Sequence, residues 1–241
     1  MTSRWAVVVQ GAAAPGADVV VFLPPAGSVT SPYFPVAARL PASVAAAHCE
    51  IPGRGRLAGD AAPASVGEAV DRWAEELVAL LPGRRLHVFG HSLGAFFAYE
   101  LVTRFGDRSA CEVAALLVSG AREPGSAPRS AVATAFAALR REQRAADRDD
   151  DAGWLAEDLR MRREYRPPEQ VVSTPLALLS GRSDTFVRPG EMGEWKRFTS
   201  GPQLGTFTFD GGHDYYLSDP DAVAATITDL VDRSRNPGTE R

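Results

Sequence analysis

A nucleophile needs a base, and the base needs an orienting acid; Ser92, His213 and Asp184 have the types and surroundings for those three tasks. Ser92 is the centre of Gly90-His91-Ser92-Leu93-Gly94, between the apolar run 86–90 and a helical pattern that begins at Leu93. Bare, that five-residue pattern is common. Between a strand and a helix it describes a nucleophile elbow, in which the serine takes a strained turn conformation and the glycines let helix and strand pass without Cβ clashes. The chain has four histidines. His48 and His87 fall inside runs that read as strands, and His91 adjoins the serine and points elsewhere on the turn. His213, in Asp210-Gly211-Gly212-His213, sits on a loop after the last apolar run and before the last helical pattern, where it can take a hydroxyl proton.

The orienting carboxylate should follow an earlier strand at the same edge. Asp184 does so, just after the run 175–181; Asp210 and Asp214, which flank the histidine, do not. Asp184 would hold the His213 tautomer and stabilise the imidazolium without taking the proton itself. Attack on a carbonyl builds charge on its oxygen, and pre-placed donors must meet it. The N–H of Leu93, at the start of the helix after the nucleophile, is one such donor. The other is expected from the small-residue loop Phe22-Leu23-Pro24-Pro25-Ala26-Gly27-Ser28, in which Pro24 and Pro25 have no N–H to give and Ala26, the first residue after them, is the favoured donor. The chain order Ser92, Asp184, His213 is that of the α/β-hydrolases and differs from the orders in other serine-protease folds.

These side chains need a rigid edge to stand on. Apolar runs at 5–10, 18–24, 45–51, 86–90, 113–120, 175–181 and 205–210 are near-continuous, as in strands covered on both faces, and helical patterns separate them. The expected fold class is α/β, with a mostly parallel central sheet of about seven strands flanked by helices. Ser65-Val66-Gly67-Glu68 has capping-box spacing ahead of Val70, Trp73, Leu77 and Leu80, and predicts a crossover helix. A last helix is expected from Ser218-Asp219-Pro220, with Val223, Ile227, Leu230 and Val231 on its apolar face. Residues 121–172 break the alternation with a Pro/Gly/Ser loop, the helical stretch 131–146, an acidic knot (Asp147, Asp149, Asp150, Asp151) and the helical stretch 154–165. With no strand of its own this insertion cannot join the sheet layer, so it is expected to lie over one end of the sheet as a lid.

Composition excludes several function classes. The chain has 241 residues, 45% of them hydrophobic, enough for one sizeable core, and reads as a single domain over 1–241. A net charge of −4 leaves no basic surplus for nucleic-acid phosphates. No apolar run reaches the roughly eighteen residues of a membrane span, and the N-terminal stretch breaks into Gly, Pro and Asp, so a soluble, untargeted, cytoplasmic protein is expected. Cys49 and Cys111 each adjoin an apolar stretch and read as small buried side chains. No cofactor or metal is called for, and a monomer is expected.

Five motifs together carry a resemblance to a known family. They are FLPPAGS (22–28), IPGRGR (51–56), GHSLGAFFAYE (90–100), GRSDTFV (181–187) with Trp195 shortly after, and GGHDYYL (211–217). The chain resembles, over nearly its whole length, the stand-alone type II thioesterases that accompany polyketide and nonribosomal peptide synthetases in antibiotic biosynthesis. That resemblance implies hydrolysis of acyl groups from the phosphopantetheine arm of an acyl or peptidyl carrier protein, to clear stalled or wrongly primed chains. It also implies Ser92, Asp184 and His213 as the catalytic triad, Ala26 and Leu93 as oxyanion donors, and the 121–172 insertion as a lid shaping the acyl chamber. Asp214 after the histidine and Pro25 in the early loop replace the aromatic residues usual in the family, which alters the walls near the reacting centre. Residues 121–166 hold ten Arg against nine acidic residues while the rest of the chain is acidic, making the lid the less repulsive face for an acidic carrier protein.

The same triad would serve a chain-releasing cyclase or transferase, or a hydrolase of small oxygen esters. A non-catalytic α/β-hydrolase fold that only binds a ligand would be marked by loss of a triad member, and the sequence retains all three.

Overall fold

Each apolar run becomes a strand; the five inner runs have no polar alternation and so no face they can leave in water, whereas the first and last stand partly exposed at the edges of the sheet. In the computed structural model, which describes residues 5–11, 17–106, 111–126 and 149–235, the strands are β1 (Val7–Gln10), β2 (Asp18–Leu23), β3 (Val44–Cys49), β4 (Arg85–His91), β5 (Glu112–Ser119), β6 (Leu176–Gly181) and β7 (Gln203–Phe209). They form one sheet in the order β1-β3-β2-β4-β5-β6-β7. Only the β1–β3 pair is antiparallel.

Alternate residues along β2 show why both faces need cover. Val19, Val21 and Leu23 pack with Trp73, Leu77, Phe97 and Leu101 from the helices α2 (Val66–Leu80) and α3 (Leu93–Phe105). Val20 and Phe22 pack on the opposite face with Val36 of α1 (Phe34–Ala37) and with Val223, Ile227 and Leu230 of the C-terminal helix. Each such side chain, removed from water, contributes about 1.5–3 kcal/mol. Cys49 and Cys111 are buried and free, as their apolar neighbours led one to expect.

Ser65 caps α2 by accepting from the Glu68 N–H at 3.1 Å. The return arm reaches one residue further back than a capping box would have it, since Glu68 Oε2 accepts from the Ala64 N–H at 2.7 Å. In the insertion, α4 (Asp149–Glu164) covers the expected 154–165 stretch, whereas the 131–146 stretch and Asp147 lie outside the described residues. The last helix appears as α5 (Tyr215–Ser218) followed by α6 (Pro220–Arg235), with Val223, Ile227, Leu230 and Val231 buried. Two 3₁₀ segments, Gly55–Leu57 and Pro189–Phe198, have no strong periodicity in the sequence.

The strand order reverses direction at β2: the chain leaves it for β3 on one side, then returns to β4 on the other. In an open α/β sheet, ligands bind in the crevice outside the carboxyl ends of the strands at such a switch point. β2 and β4 are in register there, with Leu23 opposite Gly90, so the loops carrying Ala26 and Ser92 leave the sheet side by side.

Candidate active site

Ser92 takes φ 55° and ψ −116°, and among the described residues it alone combines a positive φ with a side chain. A non-glycine residue held there costs about 1–3 kcal/mol, and it persists only where the surroundings over-determine it. The surroundings do so here. A Cβ on Gly90 would come within 2.0 Å of the Gly94 carbonyl oxygen, and one on Gly94 within 2.5 Å of the Leu23 oxygen. The two glycines thus let α3 start immediately after β4 and press against the end of β2. Ser92 stays half-exposed at the tip, and its N–H is tied to the Ser119 carbonyl at 2.9 Å.

The acid and base loops are joined in a similar way. Arg182 N–H donates to the Phe209 carbonyl and Ser183 N–H to that of Gly211, and a Cβ on Gly181 would come within 2.0 Å of the Gly212 oxygen. Asp184 and His213 are thereby brought together, with Asp184 Oδ2 2.7 Å from His213 Nδ1. Asp184 Oδ1 accepts from the Phe186 and Val187 N–H groups at 2.8 and 3.0 Å, so the carboxylate is fully engaged and its side chain is 0% exposed. Asp210 instead pairs with Arg182 out in solvent, and Asp214 is exposed at the start of α5. Of the three carboxylates weighed from sequence, only Asp184 meets the histidine.

His213 is 15% exposed, so an imidazole edge remains reachable. Its ring lies between Phe186, with centroids 4.9 Å apart, and His91, at 4.4 Å. His91 thus packs against His213 instead of pointing away from it. His91 Nδ1 is 2.8 Å from Ser119 Oγ, which is 2.6 Å from the Tyr215 hydroxyl. Burial, with the nearby His213 charge adding to it, holds the His91 pKa well below its ordinary value, so this ring is a neutral wall beneath His213. Ser119 and His91 resemble a nucleophile–base pair on paper, but they are 0% and 1% exposed, and no substrate carbonyl reaches that hydroxyl. His48 and His87 are wholly buried in their strands. His91 was open to discovery from sequence only through its place beside Ser92; its partner Ser119 is 28 residues away, and Tyr215, which bonds Ser119, lies 96 residues further on.

Ala26 is half-buried in the loop after β2, and Leu93 is buried as the first residue of α3. The first N–H groups of a helix have no acceptor within it, so the Leu93 N–H is available to an oxyanion. Trp195, singled out with the 181–187 motif, is buried and donates its indole N–H to the Ala121 carbonyl at 2.8 Å, which fixes the chain where the insertion leaves β5. At the other end of the insertion α4 reaches the β2 loop: Leu155 packs on Gly27, and Asp158 accepts from the Gly27 N–H at 2.7 Å.

Known proteins resemble the chain as follows. The model of the thioesterase domain family matches residues 19–231. Thioesterase PikA5 of Streptomyces venezuelae is 33% identical in an alignment covering 83% of this chain and 75% of that protein. A probable cadicidin biosynthesis thioesterase of Streptomyces griseus is 29% identical over 97% of this chain and 67% of its own length. Among solved structures, the type II thioesterase BorB from the borrelidin biosynthetic cluster superposes with a TM-score of 0.76 at 29% identity, covering 96% of this chain and 98% of that one.

Proposed function

The chain belongs to the thioesterase family and has its α/β-hydrolase fold, and from that premise we propose that it cleaves acyl thioesters from the phosphopantetheine arm of an acyl or peptidyl carrier protein. The observation that carries the reading is the Asp184–His213 hydrogen bond, made at the edge of the sheet where strained Ser92 stands. In this reading Ser92 is the nucleophile, His213 the base and Asp184 the orienting acid. Ala26 and Leu93 give the oxyanion donors, and the protein works as a soluble cytoplasmic monomer.

His213 Nε2 takes the Ser92 proton as Oγ attacks the thioester carbonyl carbon, and the carbonyl electron pair moves onto oxygen between the Ala26 and Leu93 N–H groups. When the carbonyl re-forms, the carbon–sulfur bond breaks. The pantetheine thiolate takes the proton from the His213 imidazolium and leaves, so the acyl group remains as an ester on Ser92. Water then enters and gives a proton to His213, and its oxygen attacks the ester carbonyl. The second collapse releases the carboxylic acid and returns the proton to Ser92 Oγ. Asp184 stays ionised throughout, holding the Nδ1–H that leaves Nε2 free to accept. The single domain spans the chain, and the 121–172 insertion forms a lid over the acyl chamber; contact of α4 with the β2 loop supports that placement.

The test is an assay of acyl-pantetheine and acyl-carrier substrates with products identified by mass spectrometry. Free acid is expected from the wild type and none from Ser92→Ala, with a fluorophosphonate probe labelling only the former. A cyclised product in place of free acid would assign the triad to chain release instead. An unlabelled wild type inert on every thioester would remove the enzyme reading altogether.

A further inference from the structure

Among the described residues, one deeply buried ion pair outside the candidate triad joins residues 104 positions apart. Arg54, from the IPGRGR stretch, presents Nη1 and Nη2 to Asp158 Oδ2 and Oδ1 at 2.9 and 2.7 Å, and the two side chains are 2% and 0% exposed. The same Asp158 Oδ2 accepts from the Gly27 N–H at 2.7 Å, and Arg54 Nη1 also donates to the Ser28 carbonyl at 3.2 Å. A bidentate pair thus grips two consecutive residues of the β2 loop, one through its N–H and the other through its C=O. Stability is a poor account of this arrangement. Taking two charges out of water offsets much of their attraction, and an apolar pair of similar volume generally does as well.

The position of the grip suggests another role. Ala26 lies between Pro25, whose ring fixes its φ, and Gly27, which sits at φ +80° where its backbone is free to rotate. One side of Ala26 is therefore set covalently and the other is set by Asp158. We propose that Asp158 and Arg54 are positioning residues that hold the Ala26 N–H at the oxyanion hole, so that seating of α4 on the β2 loop completes the site. Charge-assisted bonds of this length are short and directional, which suits a task of aim over one of adhesion. The proposal rests on the assignment of Ala26 as an oxyanion donor.

Removing one oxyanion donor costs about 10²–10³ in kcat, and a donor left in place but unaimed should cost about 10–100-fold. In Asp158→Ala we expect that loss in kcat on acyl-pantetheine with KM changed less than about twofold. Affinity for a trifluoromethyl ketone analogue, which forms an oxyanion on Ser92, should fall by the same factor, while that for a thioether analogue, which forms none, should hold. Because Asp158→Ala leaves the Arg54 charge buried and alone, the double variant Arg54→Met/Asp158→Leu serves as the folding control. It should recover thermal stability yet keep the low kcat. Recovery of kcat together with stability in the double variant would reduce the pair to a structural role, as would wild-type kcat in folded Asp158→Ala. The rate of fluorophosphonate labelling separates this outcome from failure of the thioesterase reading. It uses Ser92 and the oxyanion hole but no thioester, and it should fall with Asp158→Ala whatever the substrate proves to be.

Discussion

Replacing Asp184 by asparagine changes one atom and should nearly stop the reaction, for a reason visible in the hydrogen bonds. Asp184 Oδ1 accepts two N–H groups, from Phe186 and Val187, and Oδ2 accepts the proton on His213 Nδ1. Asparagine has a single carbonyl oxygen. Turned toward the loop it keeps two hydrogen bonds; turned toward the histidine it keeps one and sets its NH₂ against two donors. The first orientation wins, and it points the amide N–H at Nδ1. Nδ1 must then be the unprotonated nitrogen, so the ring proton moves to Nε2, the atom that has to receive the proton of Ser92. The base is lost with the geometry intact.

The same tautomer reversal in the trypsin-type triad lowers kcat about 10⁴-fold, equivalent to about 5 kcal/mol of transition-state stabilisation. The expectation for Asp184→Asn is of that order, with KM little altered and the melting temperature within a few degrees of the wild type. Steady-state release of free acid from acyl-pantetheine gives kcat, and ¹⁵N chemical shifts of the His213 ring report the tautomer directly. Activity within tenfold of the wild type, or a ring that keeps its Nδ1 proton, would refute the reasoning.

Strain at Ser92 predicts that Ser92→Gly, although inactive, is more stable than Ser92→Ala by about 1 kcal/mol, since glycine adopts the positive φ freely but loses more entropy on folding. For a chain of this size that is about 2–4 °C in Tm, and equal Tm values for the two variants would show the backbone to be relaxed. Arg54→Met alone leaves Asp158 as a buried charge with one backbone partner and should cost about 3–5 kcal/mol by chemical denaturation, most of it recovered on adding Asp158→Leu; a mild single variant would mean that water reaches the pair. Burial lowers the His48 pKa to about 4, so below the ordinary value near 6.5 the unfolded chain takes up a proton that the folded one refuses. Its contribution is complete above pH 6.5 and is lost as pH falls toward 4, by about 2 kcal/mol at pH 5. A His48→Gln variant, placed to keep the contacts with Ser31 and Gln10, should show a correspondingly flatter stability profile between pH 7 and 5, and an unchanged slope would assign the acid sensitivity elsewhere.

What could be read from the residues divides along a physical line. The five inner strands were legible to within a few residues, because a strand covered on both faces must be apolar throughout, whereas the edge strands β1 and β7 show mixed burial and were legible from their β-branched and aromatic residues. Ser92, Asp184 and His213 were legible as candidates because each follows a strand directly, so position in the sheet stands in for position in space. Contacts across long separations leave no such trace: nothing near His91 announces Ser119 and Tyr215, and nothing near Arg54 announces Asp158. Even the capping of α2 departs by one residue from its pattern, since Glu68 Oε2 accepts from the Ala64 N–H and not from that of Ser65.

That division bears on how the site works. The groups proposed to carry the chemistry stand on the sheet edge, which is stiff because each strand end is fixed by its neighbours, and strain at Ser92 can be held there without a contribution from the insertion. One component of the site does not stand on the sheet. Ala26 follows two prolines on a loop whose far side is gripped by α4 and Arg54. The groups proposed to move a proton are thus set by the core, whereas the proposed oxyanion donor Ala26 is exposed to whatever displaces α4. Displacement of α4 by a docking partner would change the stabilisation of the oxyanion while leaving Ser92, His213 and Asp184 where they are, and so would act on kcat with little effect on the pH dependence of the base.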